Sequence, residues 1–113
     1  MSRGPVSKNA LKEAVARAAR RGMVICIRPG RDSPCHFQVV SRQETVFVTV
    51  KQSRRFHGPV ADMEAQYGEA VGRLRMIPAG NGVRKELWVS SRCGSWRIFS
   101  VTDTGMDEVL SPG

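Results

Sequence analysis

The sequence lacks any apolar run long enough to cross a membrane. Its longest apolar stretches span a few residues, whereas a membrane-spanning helix needs roughly 20. The N-terminal segment is basic and lacks the apolar core of a secretory signal peptide. We therefore expect a cytoplasmic protein.

Cysteine is scarce, and its spacing is unfavourable for cross-links. The three cysteines, Cys26, Cys35 and Cys93, form an odd, scattered set without a C-x-x-C pair. Such a set argues against a disulfide framework and favours a reducing compartment. Cys35, His36 and His57 match no known zinc-ligand spacing together with the other cysteines. Small buried thiols are the favoured interpretation.

Acidic residues are few, especially near the N terminus. The chain has 18 Lys and Arg against 10 Asp and Glu, which gives a net charge of +8, and Glu13 is the only acid before Asp32. A strongly basic small domain commonly has an anionic partner, most often nucleic acid. We expect that partner to be DNA, duplex or branched, and we expect no membrane partner. The charge alone leaves open a role in solubility or attraction to an anionic membrane surface.

The 113 residues fit a single domain, and their periodicity predicts two helices and five strands. Glycine at position 22 is expected to end the first helix as its C′ residue, and the core is expected to span about residues 7–105, with a mobile tail over 106–113. The predicted helices are Lys8–Arg21 and Val60–Arg75, and the predicted strands are Met23–Arg28, His36–Ser41, Thr45–Gln52, Glu86–Ser90 and Ser95–Thr102.

This order, α-β-β-β-α-β-β, predicts the fold class. The first three strands are expected to form an antiparallel meander. The third and fourth are expected to run parallel, joined by a right-handed crossover through the second helix. The result is an α/β domain with a mixed central sheet flanked by helices.

The strand between Thr45 and Arg55 is the most decisive element of the sequence. Three valines alternate with Phe47, Thr49 and Lys51, and side chains two positions apart share a face of a strand. Lys51 therefore lies on the same face as Thr49 at the end of a buried strand. It is either a lysine that faces phosphate or a solubilising lysine at the edge of the sheet.

Three segments of the chain resemble segments of a known family. They are the segment from Arg21 to Pro34, the strand VFVTVKQSR, and the closing phrase ELWVSSRCGSWRIFSVTDTG from Glu86 to Gly105. Together with the element order, they resemble the PD-(D/E)XK nuclease superfamily, which has the restriction-endonuclease-like fold. The resemblance covers roughly residues 7–105 and is to small archaeal proteins similar to Holliday junction resolvases.

The resemblance implies a site for phosphodiester cleavage. In that family, an aspartate on the second strand and an acid two residues before a lysine hold one or two divalent ions, Mg²⁺ or Mn²⁺. The lysine orients water or stabilises charge, and an acid from the first helix assists. Lys51 matches the lysine, Glu13 matches the helix acid, and Ser33 matches a serine often found before the second strand.

The two main metal positions depart from the family pattern. His36 stands where aspartate is expected, and Thr49 stands where an acid is expected. Imidazole and hydroxyl are poor replacements for carboxylates around Mg²⁺. A metal would have to rely on Glu13, Asp32 and His36, so no cofactor is certain and we expect catalysis to be impaired.

Each candidate also has a structural interpretation. Glu13 is either a site acid or an ordinary helix residue that pairs with Arg17 one turn on. His36 and Thr49 are either catalytic-site residues beside Lys51 or ordinary strand residues, and Trp88 and Trp96 are favoured as core residues over base-stacking platforms. The candidate contacts to nucleic acid are Arg31, Ser33, Lys51, Gln52, Arg54 and Arg55.

Three functions remain open from the sequence. The leading hypothesis is a DNA-binding protein of nuclease-like fold with impaired catalysis. The second is an active metal-dependent endonuclease of the resolvase type, and the third is a non-catalytic subunit of a nucleic-acid enzyme. Resolvase-like proteins in this fold are usually two-fold dimers, so the resemblance also implies a possible homodimer.

Overall fold

The computed structural model describes residues 8–27, 33, 35–53, 57–92 and 94–109. Within these ranges no helix is long and apolar enough to cross a membrane. The helices are α1 (Lys8–Ala18), α2 (Val60–Gln66) and α3 (Gly68–Met76), and the strands are β1 (Met23–Cys26), β2 (Phe37–Val40), β3 (Thr45–Gln52), β4 (Val83–Ser90), β5 (Trp96–Val101) and β6 (Met106–Val109).

The strands form one six-stranded sheet in which spatial order follows chain order. The pair β3–β4 is parallel, and its register runs from Thr45 opposite Val83 to Gln52 opposite Ser90. Every other neighbouring pair is antiparallel. The predicted α/β class, the antiparallel meander of the first three strands and the parallel third and fourth strands are thus confirmed.

The valine alternation of β3 separates the two faces of the sheet. Val46, Val48 and Val50 are buried together with Ala14 and Ala18 of α1. We call this side the α1 face. Phe47 packs instead against the cluster on the other side, which contains Met63 of α2 and Leu74 of α3. We call that side the α2–α3 face. Each face buries apolar surface against helix, so the sheet is the middle layer of three.

The predicted single helix over Val60–Arg75 is wrong in detail, because it is two helices that meet at Tyr67. Tyr67 leaves helical geometry, with φ −111° and ψ 31°. Its hydroxyl donates to the carbonyl oxygen of Gln52 at 3.3 Å, and Gly68, a weak helix former, follows it. We attribute the break to this contact and this glycine. The break holds the aromatic ring against the end of β3.

The expected mobile tail is also wrong over its first four residues. Met106–Val109 form β6, in register with β5 from Val101 opposite Met106 to Ile98 opposite Val109. Met106 is buried in the core of the α2–α3 face. Met106 is buried and Val109 is half-buried, so both ends of the segment pack on the protein and order it. Two apolar residues are too few to show a strand period in the sequence. Residues 110–113 lie outside the described ranges.

Gly22 has a different role from the predicted helix cap. The helix ends earlier, at Ala18, and among the described residues only Gly82 and Gly94 have positive φ. A Cβ atom on Gly22 would collide with the carbonyl oxygen of Val40. Glycine is therefore required by the close approach of the α1–β1 connection to β2, not by a left-handed conformation.

Candidate functional site

Lys51 lies at the C-terminal end of an interior strand. β3 is flanked by β2 and β4, and Lys51 is half-buried, opposite Val89 of β4. The alternative of a solubilising lysine on a sheet edge is therefore wrong. Alternation along β3 places Lys51 on the α2–α3 face, two residues beyond Thr49.

A β-bulge positions His36 next to this strand end. His36 donates its backbone N–H to the carbonyl oxygen of Val48 at 2.8 Å, while Phe37 is also paired with Val48. Two consecutive residues of one strand thus face a single residue of β3, which is the geometry of a bulge. The bulge directs the imidazole at β3, where Nδ1 accepts the backbone N–H of Val50 at 2.8 Å.

This hydrogen bond fixes the chemical state of His36. Because Nδ1 accepts the hydrogen bond from the Val50 N–H, the neutral ring carries its hydrogen on Nε2. Burial lowers the pKa of His36, and the positive charge of Lys51 lowers it further. The imidazole is therefore a neutral N–H donor beside an ammonium group. Both groups suit an anion.

Thr49 lies two residues before Lys51 on the same face of β3 and is buried. It is 6% exposed, and its hydroxyl has no hydrogen-bond partner among the described residues. It offers a neutral oxygen where the resemblance expects a carboxylate. Ser33 is half-buried and Gln52 is exposed at the strand end.

Glu13 is held on the opposite side of the sheet. Its Oε2 accepts the indole N–H of Trp96 at 2.7 Å and the Nε–H of Arg17 at 3.4 Å. The Arg17 guanidinium also lies over the Trp96 ring, 5.8 Å from its centre, and Trp96 packs against the core of the α1 face. The structure therefore brings His36 and Lys51 together, with Thr49 on the same face of β3 as Lys51, but it does not bring Glu13 there. Its pairing with Arg17 is the one that the helix spacing predicts.

A second carboxylate on the α1 face is more deeply buried. Glu86 is 1% exposed and accepts hydrogen bonds from Arg21 Nη1 at 2.9 Å and from the indole N–H of Trp88 at 2.9 Å. Arg84 Nη2 lies 3.3 Å from its other oxygen. The bond to Glu86 raises the pKa of Arg21 above its ordinary value, and the nearby Glu44 contributes less. Trp88 is fully buried, as predicted for a core residue.

The described residues do not fit the divalent-metal site that the resemblance implies. They contain no group of three or more His, Cys, Asp or Glu side chains that could hold a metal ion. His36 already uses Nδ1 for the backbone, Thr49 is neutral, and Glu13 lies across the sheet. Asp32 is outside the described residues.

Arg31, Arg54 and Arg55 are also outside the described residues, whereas Ser53 and Gly58, before and after the last two, both form hydrogen bonds. Ser53 is buried and donates its N–H to the carbonyl oxygen of Ser90 at 2.9 Å. At the other end, Arg97 Nη1 donates to the carbonyl oxygen of Gly58 at 2.6 Å.

The sequence-based prediction missed Arg97. Its Nε and Nη2 donate to the two carboxylate oxygens of Glu108 at 3.0 and 2.7 Å, and this pairing lowers the pKa of Glu108. Arg97 alternates with Phe99 on β5, so its face could have been read from the strand pattern. Its partner could not, because Glu108 lies in the segment predicted to be a mobile tail.

The two cysteines within the described residues differ in exposure. Cys35 is buried and Cys26 is exposed, and both are free thiols. Burial raises the pKa of Cys35 to about 11, so its thiol stays protonated and unreactive at neutral pH. The expectation of small buried thiols is right for Cys35 and wrong for Cys26, while Cys93 lies outside the described residues.

Comparison with models of known protein families gives no match, and a search of curated proteins gives none either. The functional conclusion therefore rests on the geometry of the site.

Proposed function

We propose that this protein binds DNA, duplex or branched, through the end of the sheet formed by His36, Lys51 and the adjoining basic loop. The observation that carries the proposal is the chemistry of the pair. A bulge and a backbone hydrogen bond make His36 a neutral N–H donor next to the ammonium of Lys51. Phosphate oxygens accept such hydrogen bonds, and a lysine supplies the positive charge.

The charge of the whole chain supports the same partner. With a net charge of +8, the protein attracts a polyanion over several ångströms before any specific contact forms. The basic segment that contains Arg54 and Arg55 begins directly after β3 and is held at both ends, by Ser53 and Gly58. Arg54 and Arg55 follow Lys51 by three and four positions in the sequence, so we propose that they add to the attraction for phosphate.

We further propose that the sheet is a variant of the restriction-endonuclease-like fold in which catalysis is impaired. The parallel β3–β4 pair and the lysine at the end of β3 support the fold. The neutral side chains His36 and Thr49, at the two positions where the resemblance expects carboxylates, support the loss of efficient cleavage. We thus place the binding function ahead of the endonuclease function.

Titration of fluorescent duplex and four-way-junction DNA by anisotropy at several KCl concentrations tests the binding. We expect affinity to fall steeply with salt, because each neutralised phosphate in a duplex adds about −0.9 to the slope of log K against log [salt]. Lys51→Met should weaken binding about tenfold and reduce the slope by about one. The matched control is Lys12→Met, which removes the same charge from an exposed position of α1.

Two outcomes would contradict the proposal. One is binding that is absent or independent of salt. The other is equal weakening by Lys51→Met and Lys12→Met, which would mean that net charge alone attracts the DNA. Incubation of linear, supercoiled and branched DNA with Mg²⁺ or Mn²⁺ tests cleavage separately. Cleavage that is lost in Lys51→Met would establish the endonuclease function instead.

A further inference from the structure

The two edge strands of the sheet differ in charge. β6 forms one edge and carries the exposed carboxylates of Asp107 and Glu108. β1 forms the other edge, and its four residues, Met23–Cys26, include no charged residue and no proline. Charged side chains and prolines commonly prevent an edge strand from pairing with another chain. β1 therefore lacks the protection that β6 has.

The backbone of β1 presents unpaired groups on its outer side. Ile27 donates its N–H to the carbonyl oxygen of His36 at 3.0 Å, and Ile25 points to β2 in the same way, because backbone groups alternate in direction along a strand. Val24 and Cys26 therefore direct both N–H and C=O away from β2. No strand in the described part of the chain pairs with that side.

The side chains of this edge are apolar and exposed. Met23 is 67% exposed and Ile25 is 43% exposed. Both share a face of the strand with Ile27, which packs against the core of the α2–α3 face. Met23 and Ile25 therefore extend that apolar face to the edge of the sheet. Exposed apolar side chains beside unpaired strand backbone favour association with another strand.

We infer that two copies of this chain pair through β1, antiparallel about a two-fold axis at Ile25. In this register Val24 lies opposite Cys26 of the partner subunit, and each of the two equivalent pairs exchanges both of its N–H···O hydrogen bonds. Ile25 lies opposite the partner's Ile25 in the non-hydrogen-bonded position, where side chains are closest.

A second copy fits this edge because the edge is complementary to itself. The outward-facing residues, Val24 and Cys26, are placed symmetrically about Ile25, as a two-fold interface requires. Met23 and the partner's Ile27 meet on the same face as the two Ile25 side chains. The strand residues carry no charge, so the pairing sets no like charges opposite each other, although the net charge of the chain is +8.

Sedimentation equilibrium of the unmodified chain, without DNA, tests the dimer. The paired strands are short, and small interfaces are typical of weak complexes, so we expect a Kd on the order of 10–100 µM. The average mass should therefore rise from monomer to dimer between micromolar and millimolar protein. A monomer throughout that range would overturn the inference. Because no DNA is present, the result is independent of the proposed function.

A matched pair of charged variants locates the interface. Ile25→Lys sets two ammonium groups opposite each other at the two-fold axis, so dimerisation should weaken by at least about tenfold. Met76→Lys adds the same charge to another exposed apolar residue, 81% exposed at the end of α3, and should dimerise like the natural protein. Equal Kd values for the two folded variants would overturn the inference.

A cysteine cross-link tests the register without adding charge. In a background of Cys26→Ser and Cys93→Ser, Ile25→Cys would face its own copy at a Cα–Cα distance of about 4.5 Å, within the range of disulfides. Oxidation with diamide should give a covalent dimer much faster than it does for Met76→Cys in the same background. Equal rates would overturn the inference. Should Ile25→Lys fail to fold, this cross-link and the sedimentation of the unmodified chain decide.

Discussion

Two regions of the sheet, the α1 face and the end of β3, treat charge in opposite ways. On the α1 face, Glu13 and Glu86 are each held by two or more nitrogen donors. At the end of β3, the neutral His36 and the cationic Lys51 offer donors, and Thr49 beside them is neutral. The two strand positions that a metal-dependent nuclease would fill with acids hold His36 and Thr49, while Glu13 and Glu86 stabilise the fold on the α1 face. The number of acids in the sequence therefore does not show whether they serve a catalytic site or stabilise the fold.

The largest expected effect tests the structural role of the α1-face acids. Glu86→Ala removes the acceptor of Arg21 and Trp88 and leaves buried donors unpaired, so we expect a loss of about 3 kcal/mol in the free energy of unfolding. Urea denaturation measures it. Glu69→Ala is the control, since Glu69 forms an exposed pair with Arg73 on α3 and should cost well under about 1 kcal/mol. Equal losses of stability in the two variants would contradict the structural role of Glu86.

A smaller effect is expected from neutralising the net charge of the His36–Lys51 pair. His36→Asp and His36→Asn have the same shape, and either can accept the Val50 N–H through a side-chain oxygen. Only the aspartate brings a negative charge to Lys51, so DNA affinity in EDTA should be about tenfold lower for His36→Asp than for His36→Asn, roughly 1.4 kcal/mol. Anisotropy measures both. Equal affinities would remove His36 from the DNA interface.

Glu13→Gln distinguishes a site acid from a helix residue. The change weakens the pairs with Arg17 and Trp96, and we expect a loss of about 0.5–1 kcal/mol of stability in urea. DNA affinity at fixed salt should not fall. Reduced DNA cleavage together with unchanged stability would instead assign Glu13 to catalysis.

The smallest effect is a pH dependence. The folded-state pKa of His36 lies below the ordinary value of 6.5, so the unfolded chain binds more protons once the pH falls below about 6.5. The contribution of His36 to the pH dependence is therefore a loss of stability as pH falls from 6.5 toward the folded pKa, and none above that window. Urea denaturation at pH 7.5 and 5.5 should show a larger loss for the natural protein than for His36→Asn. Parallel losses would argue against the neutral, buried imidazole.

The sequence is most informative where side chains alternate. The valines of β3 predict its position, its two faces and the direction of Lys51, because one face is packed with valine while the other also carries polar side chains, which leaves a period of two. The order of elements around it predicts the mixed sheet. The strand β6 is too short for such a pattern, and the break at Tyr67 depends on a hydroxyl contact with Gln52, which is distant in sequence.

The candidate site is less predictable than the fold for a related reason. His36 and Lys51 could be chosen by their positions, but the Nδ1 hydrogen bond to Val50 requires the bulge opposite Val48, and no residue type marks that bulge. The placement of Glu13 requires knowing that its helix packs on the face opposite Lys51 and that Trp96 is within reach. Both depend on contacts between segments far apart in the chain.

The parallel β3–β4 pair also has a consequence for folding. It joins two antiparallel meanders, β1–β3 and β4–β6, each built from strands that are neighbours in sequence. Forming each local hairpin closes only a short loop. The pairing of Thr45 with Val83 instead requires closure of the longer segment that contains α2 and α3. We expect the two half-sheets to form early and to join along this pair last. Pulsed hydrogen exchange during refolding would then protect the amides between β1 and β2 before those between β3 and β4, and the reverse order would exclude this route.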